Sequence, residues 1–538
     1  MRASRRGMSL RTMAGGLVGG VVASLLLGMA PVMASSPGGG DEHDARTIVR
    51  VDTGLVRGAR SAGVDSFLGV PYAQPPTGDL RWRAPQPAVA WRGVRDALAF
   101  GNRCPASAST NGPRSETEDC LFLNVQRPAN ARAGERLPVY LWIHGGGLVN
   151  GSSNQHDGSL IVRDTGIVVV TINYRLGLFG FLAHPALTSE AGQSGNYGLL
   201  DQQAALRWVR RNIAAFGGDP RQVTIGGESA GGFSVCAHLS APGSQGLFVR
   251  AIVESGSCLS QTPAAAEAAG TSIARSLGCP DAATAAQCLR GQSSARLVDA
   301  AAGAPIIFVR GVPALPRDPN VAVRTGDFAR VPVLVGANRD EGRTFSQGFI
   351  GRTRDQYVAF VQSVFGARAA AVLARYPWPA TADAFTPAYL AGAIFTDSGF
   401  VGSIGGCANR GFTQALAQHT RTFAYEFDHR TGPGLNPSPA GYVWGAGHAA
   451  ELAYMWPTFD NGVPIAPTFD RAERRLATDM VRYWGSFVRT GRPAAADSAR
   501  WLSFDGTGRV MSLRAGGEST SISDAQVSVE HNCDFWTA

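Results

Sequence analysis

The chain has 538 residues, 44% of them hydrophobic and 17% charged, a balance that suits an ordinary soluble globular protein and excludes a disordered or fibrous one. All 49 basic residues are arginine, against 41 acidic ones, and four of them (Arg2, Arg5, Arg6 and Arg11) crowd the first eleven positions. The rest, 45 against 41 or +4, form no basic run, so nucleic acid is not expected as a partner.

Residues 1–34 read as a secretion signal that is removed, which places the mature protein outside the cell. After the basic start comes an apolar stretch from about Ala14 to Met29, and Val32-Met33-Ala34 offers a small-residue cleavage site. The stretch is too short and glycine-rich for a membrane span, so no stable membrane anchor is expected. Ser4-Arg5-Arg6 hints at a twin-arginine signal, but Met8-Ser9 follow it poorly, which leaves the route open. Residues 35–44 read as a flexible segment and 45–538 as a single domain. The eight cysteines accord with an oxidising compartment, and none falls in a Cys-x-x-Cys pattern, which argues against a metal site.

Along the mature chain, short apolar runs predict buried strands at Val139 to Ile143, Ile167 to Ile172, Val223 to Ile225, Ala251 to Val253, Val333 to Val335 and Thr422 to Phe427. Between the second and third, Leu206, Val209, Ile213 and Phe216 recur at helical spacing within Gly198 to Phe216. A further helix is expected from Phe233 to Leu239, and a helical insertion from about 350 to 415. Strands alternating with helices imply an α/β fold with a mostly parallel central sheet covered on both faces.

Two glycine-rich turns stand at the ends of predicted strands. Gly226-Gly227-Glu228-Ser229-Ala230-Gly231-Gly232 contains Gly-x-Ser-x-Gly, the pattern that lets a serine sit in strained backbone at a strand-to-helix turn with Oγ exposed. His144-Gly145-Gly146-Gly147 follows the strand ending at Ile143. Its backbone N–H groups, with that of Ala230, form a candidate oxyanion hole of three donors, each worth about 3–4 kcal/mol in the transition state. A nucleophilic serine also needs a base and an acid. His238, His419, His429, His448 and His531 follow Ser229 in the chain. His448, in a loop of small residues at Trp444 to Glu451, is best placed to reach it. Asp340 and Glu341 both follow the strand Val333 to Val335, and spacing does not choose between them.

The sequence resembles the type-B carboxylesterases, which include the cholinesterases. The resemblance runs from about Val51 to Trp536. It is carried by Phe216-Gly217-Gly218 through Gly231, and by Glu118-Asp119-Cys120-Leu121-Phe122-Leu123-Asn124-Val125, with a departure at Gln126. Phe67 to Ala73, Asn173-Tyr174-Arg175 and Asn196 to Gln202 are also family-like. It implies an α/β-hydrolase fold with large insertions and a serine carboxylesterase acting on small-molecule esters without metal or organic cofactor. It implies Ser229, Glu341 and His448 as the triad, Gly146, Gly147 and Ala230 as the oxyanion hole, and Ser255 as a support of the acid. It further implies disulfides Cys104–Cys120, Cys279–Cys288 and Cys407–Cys533, and ion pairs Arg175–Asp201 and Arg81–Glu118. Cys236 and Cys258 are left over, and buried thiols are favoured over a fourth bridge. Activity is expected to fall below roughly pH 6.5, the ordinary histidine value. The loop between Cys104 and Cys120 has no aromatic residue, which disfavours choline esters. A lipase, an amidase or transacylase with the same triad, and a non-catalytic binding protein are the rival readings. Oligomeric state is left open.

Overall fold

The chain is described by a computed structural model that covers residues 47–435 and 439–537; the expected signal and flexible segment lie outside the described residues. Its strands are β1 (Ile48–Val51), β2 (Gly54–Arg57), β3 (Ala59–Ser61), β4 (Val64–Pro71), β5 (Val94–Asp96), β6 (Phe122–Pro128) and β7 (Leu137–Ile143). There follow β8 (Val168–Ile172), β9 (Gly218–Glu228), β10 (Arg250–Glu254), β11 (Val333–Asn338), β12 (Thr422–Phe427), β13 (Arg509–Leu513) and β14 (Thr520–Ser523). β1, β2 and β5 form a small sheet, and the other eleven form one large sheet in the order β14-β13-β12-β11-β10-β9-β7-β8-β6-β4-β3. Neighbours from β8 through β13 run parallel, and β3, β4, β6 and β14 join antiparallel at the two edges.

All six predicted strands lie in the parallel centre. Their sequences explain why. β8 is Val-Val-Val-Thr-Ile, buried along its whole length, as expected where helices cover both faces. In β7 the side chains divide by the strand period of two. Val139, Leu141 and Ile143 join the apolar cluster on one face, while Tyr140 and Trp142 join the cluster on the other. The helix Tyr197–Asn212 adds Leu199, Leu206, Trp208 and Val209 to the first cluster. A long helix, Arg471–Thr490, which the periodicity reading passed over, adds Leu476, Met480, Trp484 and Phe487 to the second. It opens with a reciprocal capping box between Asp470 and Glu473. The insertion at 350–415 is helical, with helices Arg354–Phe365, Ala369–Arg375, Thr386–Ser398 and Gly406–Ala417.

The chain crosses from β7 to β8 on one side and then returns to place β9 on the other side of β7. Successive connections therefore diverge between β7 and β9, and a crevice opens beyond their carboxyl ends, where ligands of open α/β sheets bind. The glycine turn after β7 and the serine turn after β9 border that crevice.

Cys104–Cys120, Cys279–Cys288 and Cys407–Cys533 are joined, and so are Cys236 and Cys258. The expected buried thiols are thus a fourth disulfide, which fastens the helix after Ser229 to the segment after β10. Spacing was silent here because a 22-residue separation says nothing about proximity; the parallel pairing of β9 with β10 brings the two together. Arg175 meets Asp201 at 2.7 Å, and Arg81 meets Glu118 at 2.5 Å.

Candidate active site

β9 ends at Glu228, and the helix Ala230–Ser240 begins two residues later. Ser229 makes the turn with φ 55° and ψ −121°, a conformation that costs an L-residue energy and persists only where the surroundings enforce it. Its N–H donates to Glu254 O at 2.9 Å, and its own carbonyl accepts from Phe233 N–H at 2.9 Å. Gly231 lets the turn lie directly on β7, since a Cβ there would fall 2.0 Å from Ile143 O. After β7 the glycine turn bends through Gly146 (φ 99°) and Gly147 (φ 64°). Asn150 N–H closes it on Gly146 O at 3.0 Å, leaving a Cβ on Gly146 no room beside Asn150.

These two turns and His448 line one cavity of about 350 Å³. His448 Nδ1 lies 2.6 Å from Glu341 Oε2, and the other oxygen of Glu341 accepts from Ser255 Oγ at 2.5 Å and Asn338 N–H at 2.7 Å. A carboxylate held at both oxygens fixes Nδ1 as the protonated nitrogen and turns Nε2 toward the cavity. Among the described residues Ser229 Oγ makes no hydrogen bond. Asp340, the alternative acid, turns away. It takes a two-pronged pair from Arg430, both contacts at 2.8 Å, and the N–H of Ala446 at 3.0 Å. Burial works against its charge, yet Arg430 and Arg343 hold its carboxyl below the usual range.

The other candidate histidines have partners elsewhere, and none lines this cavity among the described residues. His238 sits between Ser244 Oγ (2.7 Å) and Gln202 Oε1 (3.0 Å), and burial pushes it down to about 3. His531 is clamped between Asp397 at 2.9 Å and Glu426 at 2.7 Å. His419 faces Arg324 O and His429 faces Glu473.

Two acidic residues escaped the sequence reading. Glu228 Oε1 stands 3.1 Å from His448 Nε2. Glu451 accepts the Asn338 side-chain amide, and Ser255 Oγ reaches its other oxygen at 3.5 Å. Glu228, Glu254, Glu341 and Glu451 are each at most 3% exposed. Burial pushes Glu228 up to about 8 against the pull of His448, and burial with Glu341 pushes Glu451 up to about 7. For His448 burial favours the neutral ring, but Glu228 and Glu341 outweigh it and carry the imidazole up to about 9. The signal for both acids was in plain view, one beside the serine and one three residues after the histidine. Phe345, itself 37% exposed, covers the imidazole at 4.9 Å between ring centres.

Residues 45–536 match the model of the carboxylesterase family. An acylcarnitine hydrolase of Mus musculus is 35% identical over 510 residues, 87% of this chain and 87% of that protein. A fumonisin B1 esterase of Sphingopyxis macrogoltabida is 35% identical over 505 residues, 90% of each. Among solved structures, a thermophilic PNB esterase superposes with a TM-score of 0.76 at 30% identity, covering 90% of this chain and all 100% of that one. The sheet is that of an α/β-hydrolase, and the chain belongs to the carboxylesterase family of carboxylic ester hydrolases.

Proposed function

We propose that this carboxylesterase cleaves small-molecule esters through an acyl-enzyme on Ser229. The observation that carries the reading is the 2.6 Å contact between Glu341 and His448 Nδ1, which leaves Nε2 as the basic nitrogen in the cavity that holds Ser229. Nε2 takes the Ser229 proton as Oγ attacks the ester carbonyl. The N–H groups of Gly146, Gly147 and Ala230 receive the negative oxygen of the tetrahedral intermediate. His448 then gives its proton to the leaving alcohol, and water repeats the sequence on the acyl group. Thr110 and Asn111, at the tip of the 104–120 loop, line the cavity without offering an aromatic face, so that loop provides no cation–π seat for a choline ester.

Hydrolysis of p-nitrophenyl butyrate is the test. Ser229→Ala is expected to lower turnover by about 10⁴-fold or more. A brief pulse of substrate is expected to add one butyryl mass to the wild-type protein and none to the variant. Undiminished turnover in the variant would sink the mechanism.

We further propose that the protein is exported. The basic start, apolar stretch and small-residue site of residues 1–34 support this, as do four disulfides, which persist in oxidising compartments. Protein recovered from the culture medium should begin at Ser35; full-length protein retained inside the cell would contradict it.

A further inference from the structure

Beside the catalytic cavity lies a second one of about 370 Å³. Val149 and Asn150, which directly follow the oxyanion turn, line both. The floor of the second cavity is Leu178, Phe179, Leu297 and Val298, none more than 3% exposed. Small residues of two further segments, Ala301 to Ala304 and Pro105 to Ala108, also line it. Among the described residues no charged side chain lines it. At the divide, Asn150 Oδ1 is already engaged by the Asn111 amide at 2.7 Å.

The volume is that of a small-molecule pocket. With an apolar floor and no charge, it offers little to an ionic or strongly polar group, and most of what it can gain is apolar burial. The small residues in its lining offer few shaped contacts, which suits a flexible hydrocarbon. We propose that this annex is a subsite for the aliphatic chain of an ester whose carbonyl lies against Gly146 and Gly147, the chain crossing at Val149. The inference rests on the esterase reading of Ser229 and adds to it a substrate class, esters carrying a long alkyl chain on one side.

Two substrate series test it. One lengthens the acyl side, as p-nitrophenyl esters from acetate to palmitate; the other lengthens the alcohol side, as acetates of straight-chain alkanols. In one series kcat/KM is expected to climb about four-fold per methylene once the chain passes Val149, the ratio that corresponds to about 0.8 kcal/mol per buried CH₂. The series that climbs tells which side of the ester enters. Ala301→Phe fills the annex and Ala301→Asp places a charge in it. Each should lower the ratio of dodecyl to butyryl (or dodecanol to butanol) kcat/KM by at least about ten-fold, with the short ester within about two-fold of wild type. A flat or falling series on both sides would overturn the annex and leave the esterase standing, as would variants with an unchanged ratio. If either variant loses short-ester activity as well, the wild-type series decides alone. No hydrolysis of any ester by folded wild type would overturn both readings.

Discussion

His448 stands between two buried carboxyl groups, and only one of them was expected. Nδ1 faces Glu341, while Nε2, which in the proposed mechanism must be bare to accept a proton from Ser229, faces Glu228 at 3.1 Å. A negative charge on Glu228 favours a proton on that ring, and the proton has to leave before the imidazole can act as a base. Both groups are displaced upward, Glu228 to about 8 and His448 to about 9, so the proton is retained to higher pH than on a free histidine. The acid limb of kcat/KM is therefore expected above pH 6.5, with activity still rising between pH 7 and 9. Glu228→Gln removes the carboxylate that favours the charged ring and should move the limb down by about one unit or more. A pH series on p-nitrophenyl acetate with both proteins checks this; a wild-type limb at or below 6.5 contradicts it. Glu228 was legible as a letter in Gly-Glu-Ser. Its part in the proton balance was not, because that depends on an imidazole 220 positions away.

At the scale of elements, the parallel centre of the sheet was readable and its edges were not. β8 and β11 are apolar on both faces, which no other element of that length requires. β4 and β6 instead bury Asp65, Asn124, Gln126 and Arg127, residues that alternation rules assign to solvent. They are satisfied inside: Arg127 reaches Asp65 at 3.2 Å, and the Asn124 amide donates to Ser153 and Thr171. Such partners come from distant segments and leave no periodic trace. The Cys236–Cys258 bridge was hidden for the same reason, and it makes a prediction. Closing 22 positions corresponds to about 3 kcal/mol in the chain-entropy model. Replacing both cysteines by alanine should lower unfolding stability in guanidinium by roughly that amount. Esterase activity should survive in native buffer, since neither cysteine lines the catalytic cavity. An unchanged midpoint would mean that the thiols are unpaired in the protein.

For the whole molecule, buried ionisable groups set the pH range of stability. His144, His156 and His238 are pushed down by burial, to about 4, 3 and 3. Each stays neutral when folded, so their contribution is complete above the unfolded value of about 6.5 and is lost as pH falls below it. His531 behaves oppositely. Burial opposes its charge, but Asp397 and Glu426 prevail and raise it to about 10. Its contribution is full below about 6.5 and disappears as pH rises through 10. Glu228 and Glu254, raised by burial, likewise favour the protonated and folded state up to their own elevated values. Above pH 6.5 these groups act in the same direction as His448 and Glu451, which are also raised, and the thermal midpoint is expected to fall steadily from pH 7 to 10. His531→Gln should be less stable at pH 7, and its midpoint should fall less over that interval. A wild-type midpoint that rises toward pH 10 would refute the assignment.

The loops that carry Glu341 and His448 are sewn together apart from the bond between those two side chains. Asp340 N–H donates to Ala446 O at 2.8 Å, Ala446 N–H returns to Asp340 Oδ2, the Asn338 amide holds Gly447 O at 2.8 Å, and Thr344 Oγ1 holds His448 O. Asp340 and Ala446 are 106 positions apart in the chain, yet hydrogen bonds run in both directions between their segments. They amount to one heritable unit. Recombination between relatives with a crossover anywhere between 344 and 445 would inherit halves that were never selected together. Functional chimeras should cluster where both segments come from the same parent.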